Sequence, residues 1–127
     1  MMRKRLCCAG MLLAMLAVPG CGTDTKLTFR QDVYPILQEK CLDCHSPPNG
    51  KGYKISGLNM ESYETVMQGN LYGPVVVPGD SLHSVLIMFV EGRVDETILM
   101  PHEDDEPLNT MEIATLRTWV EQGATKD

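Results

Sequence analysis

Phe29, Val33, Ile36 and Leu37 recur at helical spacing and give one apolar face to the stretch after residue 28. Thr28 stands where an N-cap would, and Gln31 three residues on completes a capping-box pattern. Pro35 falls inside that run, so it either kinks the helix or opens the first turn of a second segment leading into Cys41. Ser46-Pro47-Pro48-Asn49-Gly50 and Gly52 read as a loop. Residues 62–68 predict a short helix with Tyr63, Val66 and Met67 inward. A break follows at Gly69 to Gly73, then a brief extended run at Val75-Val76-Val77, ended by Pro78-Gly79. Asp80 caps a predicted helix through about Val90, with Leu82, Val85, Leu86 and Phe89 on one face. The last element is a helix over 110–122, capped by Asn109 and Glu112, stopped by Gly123, with Ile113, Leu116, Trp119 and Val120 inward. The pattern is all-α, with two short helices between the first and the last.

The residues before this pattern have a different character. A basic start (Arg3, Lys4, Arg5), an apolar stretch from Leu6 to Val18 and then Pro19-Gly20-Cys21 match the layout of a secretory signal over residues 1–20, too short for a membrane span. An A-x-A cleavage site is absent. Val18-Pro19-Gly20-Cys21 resembles a bacterial lipobox, in which cleavage precedes a cysteine that carries lipid, although Pro19 departs from the usual small residue. Residues 21–28 would then be a lipidated tether. Its polar part, residues 22–28, reaches about 23 Å when fully extended. The chain expected is a lipoprotein anchored at the periplasmic or cell-surface side of a bacterial membrane, or a secreted periplasmic protein if Cys21 keeps a free thiol.

Beyond the signal lie all 17 acidic residues and eight basic ones, a formal charge of −9. Such a surface is a poor candidate for nucleic acid or anionic headgroups. It suits a head near the membrane that meets partners through basic docking patches.

Charge says nothing of chemistry; the five cysteines do. Cys41-Leu42-Asp43-Cys44-His45 is the C-x-x-C-H pattern of covalent c-type haem attachment. Two thiols add across the two porphyrin vinyl groups, so they must sit about one helical turn apart. His45 directly follows and becomes the proximal iron ligand. A zinc ribbon would need a second C-x-x-C pair or paired His, a thioredoxin-like dithiol would follow a strand, and a 41–44 disulfide would constrain little. Cys7 and Cys8 leave with the signal, Cys21 takes lipid, and Cys41 and Cys44 take one haem. A proline carbonyl, Pro48 by position, would accept the outer N–H of His45.

The sixth ligand is expected from Leu99-Met100-Pro101-His102, just before the last helix. Met100 is favoured because Pro101 stiffens its loop, with His102 as the alternative. Met60, Met67, Met88, Met111 and His83 are further candidates. Methionines on a helical stripe, such as Met67 and Met88, read as core, and His83 as a surface helix residue.

Val33-Tyr34-Pro35-Ile36-Leu37 leading into Cys41–His45 resembles the opening of the planctomycete-type cytochrome c domain, a branch of class I cytochromes c. The likeness continues in Gly57-Leu58, in Val77-Pro78-Gly79-Asp80 with Ser84, in Met100-Pro101, and from Leu108 through the closing helix to Gly123-Ala124. It spans residues 29–125. The resemblance implies a class I cytochrome c-like fold whose N- and C-terminal helices cross beside one covalent haem. It also implies His45 and Met100 as the axial pair. The second residue after that methionine is commonly proline in the family. His102 stands there instead, which keeps a bis-His site open. The expected function is a mono-haem electron carrier rather than an enzyme. The alternative is a haem sensor or peroxidase-like enzyme with a vacatable sixth ligand, but a di-haem peroxidase would need a second C-x-x-C-H. The acidic run Glu103-Asp104-Asp105-Glu106 reads as a solvated loop.

Overall fold

Thr28 opens the first helical segment, but the turn it caps is wider than an α-helical one. The computed structural model describes residues 25–101 and 106–127; the signal segment, Cys21 and His102 lie outside them. The Thr28 hydroxyl accepts the Gln31 amide at 3.3 Å. Phe29–Val33 then forms a π-helical turn, in which the Val33 amide reaches back to the Thr28 carbonyl. The extra residue shifts the reciprocal cap from Gln31 to Asp32, whose carboxylate accepts the Thr28 N–H at 2.7 Å. Helix α1 (Tyr34–Lys40) follows directly, with Pro35 in its first turn.

Four more helices follow: α2 (Lys51–Ser56), α3 (Tyr63–Gln68), α4 (Val85–Val90) and α5 (Thr110–Glu121), with a 3₁₀ turn at Glu96–Ile98 between the last two. No strand occurs among the described residues, so the all-α expectation holds. Two points of the predicted layout are corrected. Three helices, not two, lie between the ends, because Lys51–Ser56 is helical where a loop was expected. The fourth helix starts at Val85 instead of just after Asp80. Asp80 does cap a turn, accepting the His83 amide at 3.0 Å, but that turn ends before α4, and Leu82 points outward.

Ser84 explains the break. It is fully buried, its hydroxyl accepting the Val77 N–H at 2.8 Å and donating to the Asp80 carbonyl at 2.7 Å. One side chain thus replaces the backbone bonds that the 75–80 run and the 80s turn lack. Ser84→Ala leaves those partly buried groups without that partner, an expected loss of about 1 kcal/mol. Denaturant unfolding of wild type and variant measures it directly.

The core joins the two ends of the chain. Val33, Leu37, Leu116, Trp119 and Val120 are fully buried, and Phe29 sits among Tyr34, Tyr63 and Trp119 at ring separations of 5.6–5.9 Å. The Thr125 carbonyl accepts both the Phe29 amide, at 3.0 Å, and the Trp119 indole N–H, at 2.8 Å. Asn109 and Glu112 make the capping box expected of α5. At the far side, Glu91 accepts Arg93 and pairs with Arg117, while Arg93 also donates to the Ser81 and Leu82 carbonyls. These bonds fix the end of α4 and the 80s turn against α5.

Candidate functional site

The C-x-x-C-H motif leaves α1 as a single isolated turn. The amides of Cys44 and His45 both converge on the Cys41 carbonyl, at 3.2 and 2.9 Å. Helix α2 is set against this turn: the Tyr53 amide donates to the Cys44 carbonyl at 2.9 Å. Two glycines permit that approach. A Cβ at Gly50 would stand 2.4 Å from the Cys44 oxygen, and one at Gly52 would stand 2.6 Å from His45 Cε1 and 2.8 Å from Nε2.

His45 is 9% exposed and held from two directions. Its carbonyl accepts the Met60 amide at 2.9 Å, and its Nδ1 lies 3.4 Å from the Leu58 carbonyl. The acceptor expected from Pro48 is therefore supplied by Leu58, because the chain returns past the imidazole after α2. With Nδ1 donating to Leu58, the lone pair falls on Nε2, the tautomer an iron ligand needs.

Cys41, Cys44, His45 and Met100 all line one cavity of about 280 Å³. Leu58, Met60 and Val75, with Leu86, Phe89 and Val90 of α4, supply apolar lining. Much of the stripe assigned to α4 is therefore cavity wall, while Ile87, fully buried, belongs to the core. Of the other candidate ligands, Met60 lines the cavity, beside His45 through its backbone bond. Met67 packs against the core, Met111 is exposed, and the exposed His83 pairs with Asp80 at 2.7 Å.

Cys41 and Cys44 are half-buried free thiols. Burial pushes the Cys41 thiol up to about 12, with the neighbouring Cys44 adding to the effect. A thiol held protonated in this way is a poor redox nucleophile. As a thioether the same sulfur carries no charge, so its burial has no such penalty. Among the described residues no three His, Cys, Asp or Glu side chains gather to hold a metal ion. Two thiols one turn apart, an oriented imidazole and apolar walls together fit a covalently attached haem.

At the cavity edge the nearly buried Lys40 ammonium pairs with Glu106 at 3.0 Å and Glu39 at 3.2 Å. This pair ties the end of α1 to the segment that follows the Met100 loop. Sequence spacing carries no signal for it, as the partners lie 66 residues apart. Gly52 and Leu58 were missed as parts of the site for the same reason: their roles arise from the return of the chain.

These features define a cytochrome c-type site. The chain belongs to the planctomycete cytochrome c family, whose model matches residues 41–104, just over half of its length and from Cys41 past Met100. That membership implies haem c as cofactor and haem-based electron transfer as the family's work. No curated protein and no solved structure matches the chain.

Proposed function

We propose that this protein is a mono-haem c-type cytochrome that passes single electrons between redox partners at the outer face of a bacterial membrane, held there by lipid on Cys21. The observation that carries the reading is the single apolar cavity that joins Cys41, Cys44, His45 and Met100. Cys41 and Cys44 would hold the haem through thioethers, His45 would be the proximal ligand and Met100 the distal one, with His102 as its alternative. The haem, when bound, supplies a ferric–ferrous couple. The protein sets its potential and excludes water.

Each residue has a defined task in that scheme. The Leu58 carbonyl orients His45 and raises its basicity. Apolar walls from α4 keep the cavity dry, which favours the less charged iron state. Met60, the other methionine at the cavity, is bonded through its backbone to His45, whereas Met100 sits in the Met-Pro loop, which supports Met100 as the distal ligand of this reading. An occupied sixth position favours transfer over substrate chemistry, and it separates a carrier from a sensor or peroxidase.

Optical spectra of the purified holoprotein, oxidised and reduced, with and without carbon monoxide, test this. The wild type should be low-spin, show a far-red sulfur-to-iron band and bind carbon monoxide slowly. Met100→Ala should lose the band, bind carbon monoxide readily and have a lower reduction potential, because a thioether ligand raises it. Rapid carbon monoxide binding by the wild type overturns the carrier reading. Loss of the low-spin state in His102→Ala but not in Met100→Ala moves the ligand to His102.

A further inference from the structure

We propose that Lys51, Lys54 and Ile55 of α2, with Leu71 and Tyr72 of the neighbouring turn, form a docking face for an acidic redox protein at the mouth of the haem cavity. The proposal rests on the carrier reading above and adds to it the place and the chemistry of the partner.

The charge distribution is the first observation. Residues 44–60 and 65–79 contain no Asp or Glu, on a chain with 17 of them. Five of the eight basic side chains beyond the signal are tied to carboxylates: Arg30, Lys40, Arg93, Arg117 and Lys126. Lys51 and Lys54 have no carboxylate within ion-pair distance among the described residues, and both are exposed on α2. At i and i+3, with Ile55 at i+4, they share one helix face. Lys51 and Ile55 also line the cavity, which places that face at its mouth.

The second observation is apolar. Leu71 is 75% exposed and Tyr72 84%, and neither lines the haem cavity; Ile55, in its lining, adjoins them at the mouth. They are contiguous, since the Leu71 amide donates to the Ser56 carbonyl at 2.9 Å and the Leu71 side chain lies against Gly57. An apolar centre with a rim of unpaired charge is the composition of a protein-docking patch. In a separate hollow beside Cys44 lie Glu39, Asp43 and Glu106, where Lys40 is already neutralised. The net charge of −9 favours a basic partner. The side of the mouth that carries the exposed apolar residues favours an acidic one, and association rates follow local charge.

Voltammetry of the holoprotein on gold tests this, using a mixed carboxylate- and methyl-terminated alkanethiol monolayer against an amine-terminated one. Optical spectra of each variant come first, so that loss of haem or of ligation counts against the carrier reading and not against the face. The wild type should exchange electrons on the carboxylate–methyl layer despite its net charge. Lys51→Glu with Lys54→Glu should slow that exchange about tenfold. Leu71→Ser with Tyr72→Ser should weaken adsorption on the same layer at high salt. Glu39→Lys with Asp43→Lys should leave exchange unslowed. Faster exchange on the amine layer, no exchange on either layer, or insensitivity to the lysine pair overturns the proposal.

Discussion

If His45 ligates a covalent haem as proposed, Gly52→Ala is expected to displace the imidazole and abolish the low-spin spectrum. A Cβ there would lie 2.6 Å from Cε1, 2.8 Å from Nε2 and 3.0 Å from Nδ1 of the imidazole, closer than side-chain atoms approach one another. His45 cannot simply retreat. Its amide and carbonyl are bonded to Cys41 and Met60, and its Nδ1 sits against the Leu58 carbonyl. The sign of the effect separates this account from a helical one. If Gly52 were only a residue of α2, alanine would strengthen the helix by roughly 0.5–1 kcal/mol. Lys54→Ala, an exposed change in the same helix, serves as control and should leave the spectrum unaltered. Mass spectrometry verifies that haem is still attached in both variants. A Gly52→Ala protein with a wild-type spectrum and a raised melting temperature contradicts the assignment.

The same glycine shows how far the sequence could be read. Helix α5 was legible because every local signal agrees: a capping box at Asn109 and Glu112, an apolar stripe and a glycine stop. Helix α2 was not. Its six residues bury no side chain of their own, Ile55 points outward, and the prolines and glycines around it imitate a loop. Its place is set by the close approach of Gly52 to His45 and by Ile55 at the cavity rim, which no periodicity reports. The stripe of α4 was read as one apolar face, but spacing does not say what it meets: Val85 and Phe89 line the cavity and Ile87 is buried in the core. The π-helical turn at Phe29–Val33 moved a cap by one residue, a change invisible to spacing rules built on the α-helix. At the site, the haem motif and Met100-Pro101 are local signatures and could be named. The Leu58 acceptor, the Gly52 contact and the Lys40–Glu106 pair are meetings of distant segments, set only when the chain closes.

Trp119→Ala is expected to be the most destabilising single change outside the haem site. Trp119, the sole tryptophan, is fully buried in α5, 5.9 Å from the Phe29 ring, and its indole N–H donates to the Thr125 carbonyl at 2.8 Å. Truncating such a residue costs about 3–5 kcal/mol, against a total stability of about 5–15 kcal/mol for a domain of ordinary size. At about 4–8 °C per kcal/mol, the melting temperature should fall by roughly 12–40 °C. Trp119→Phe separates volume from hydrogen bonding. It keeps most of the ring, and the Thr125 carbonyl still receives the Phe29 amide, so its loss should be no more than about 1–2 kcal/mol. Far-UV circular dichroism follows unfolding without relying on the deleted fluorophore, while the haem spectrum reports the site separately. Trp119 does not line the cavity, so below its lowered transition the Ala variant should keep the wild-type haem spectrum. A melting curve within about 1 kcal/mol of the wild type would mean that the two chain ends are not held together by this contact, and that the haem pocket must itself organise the fold.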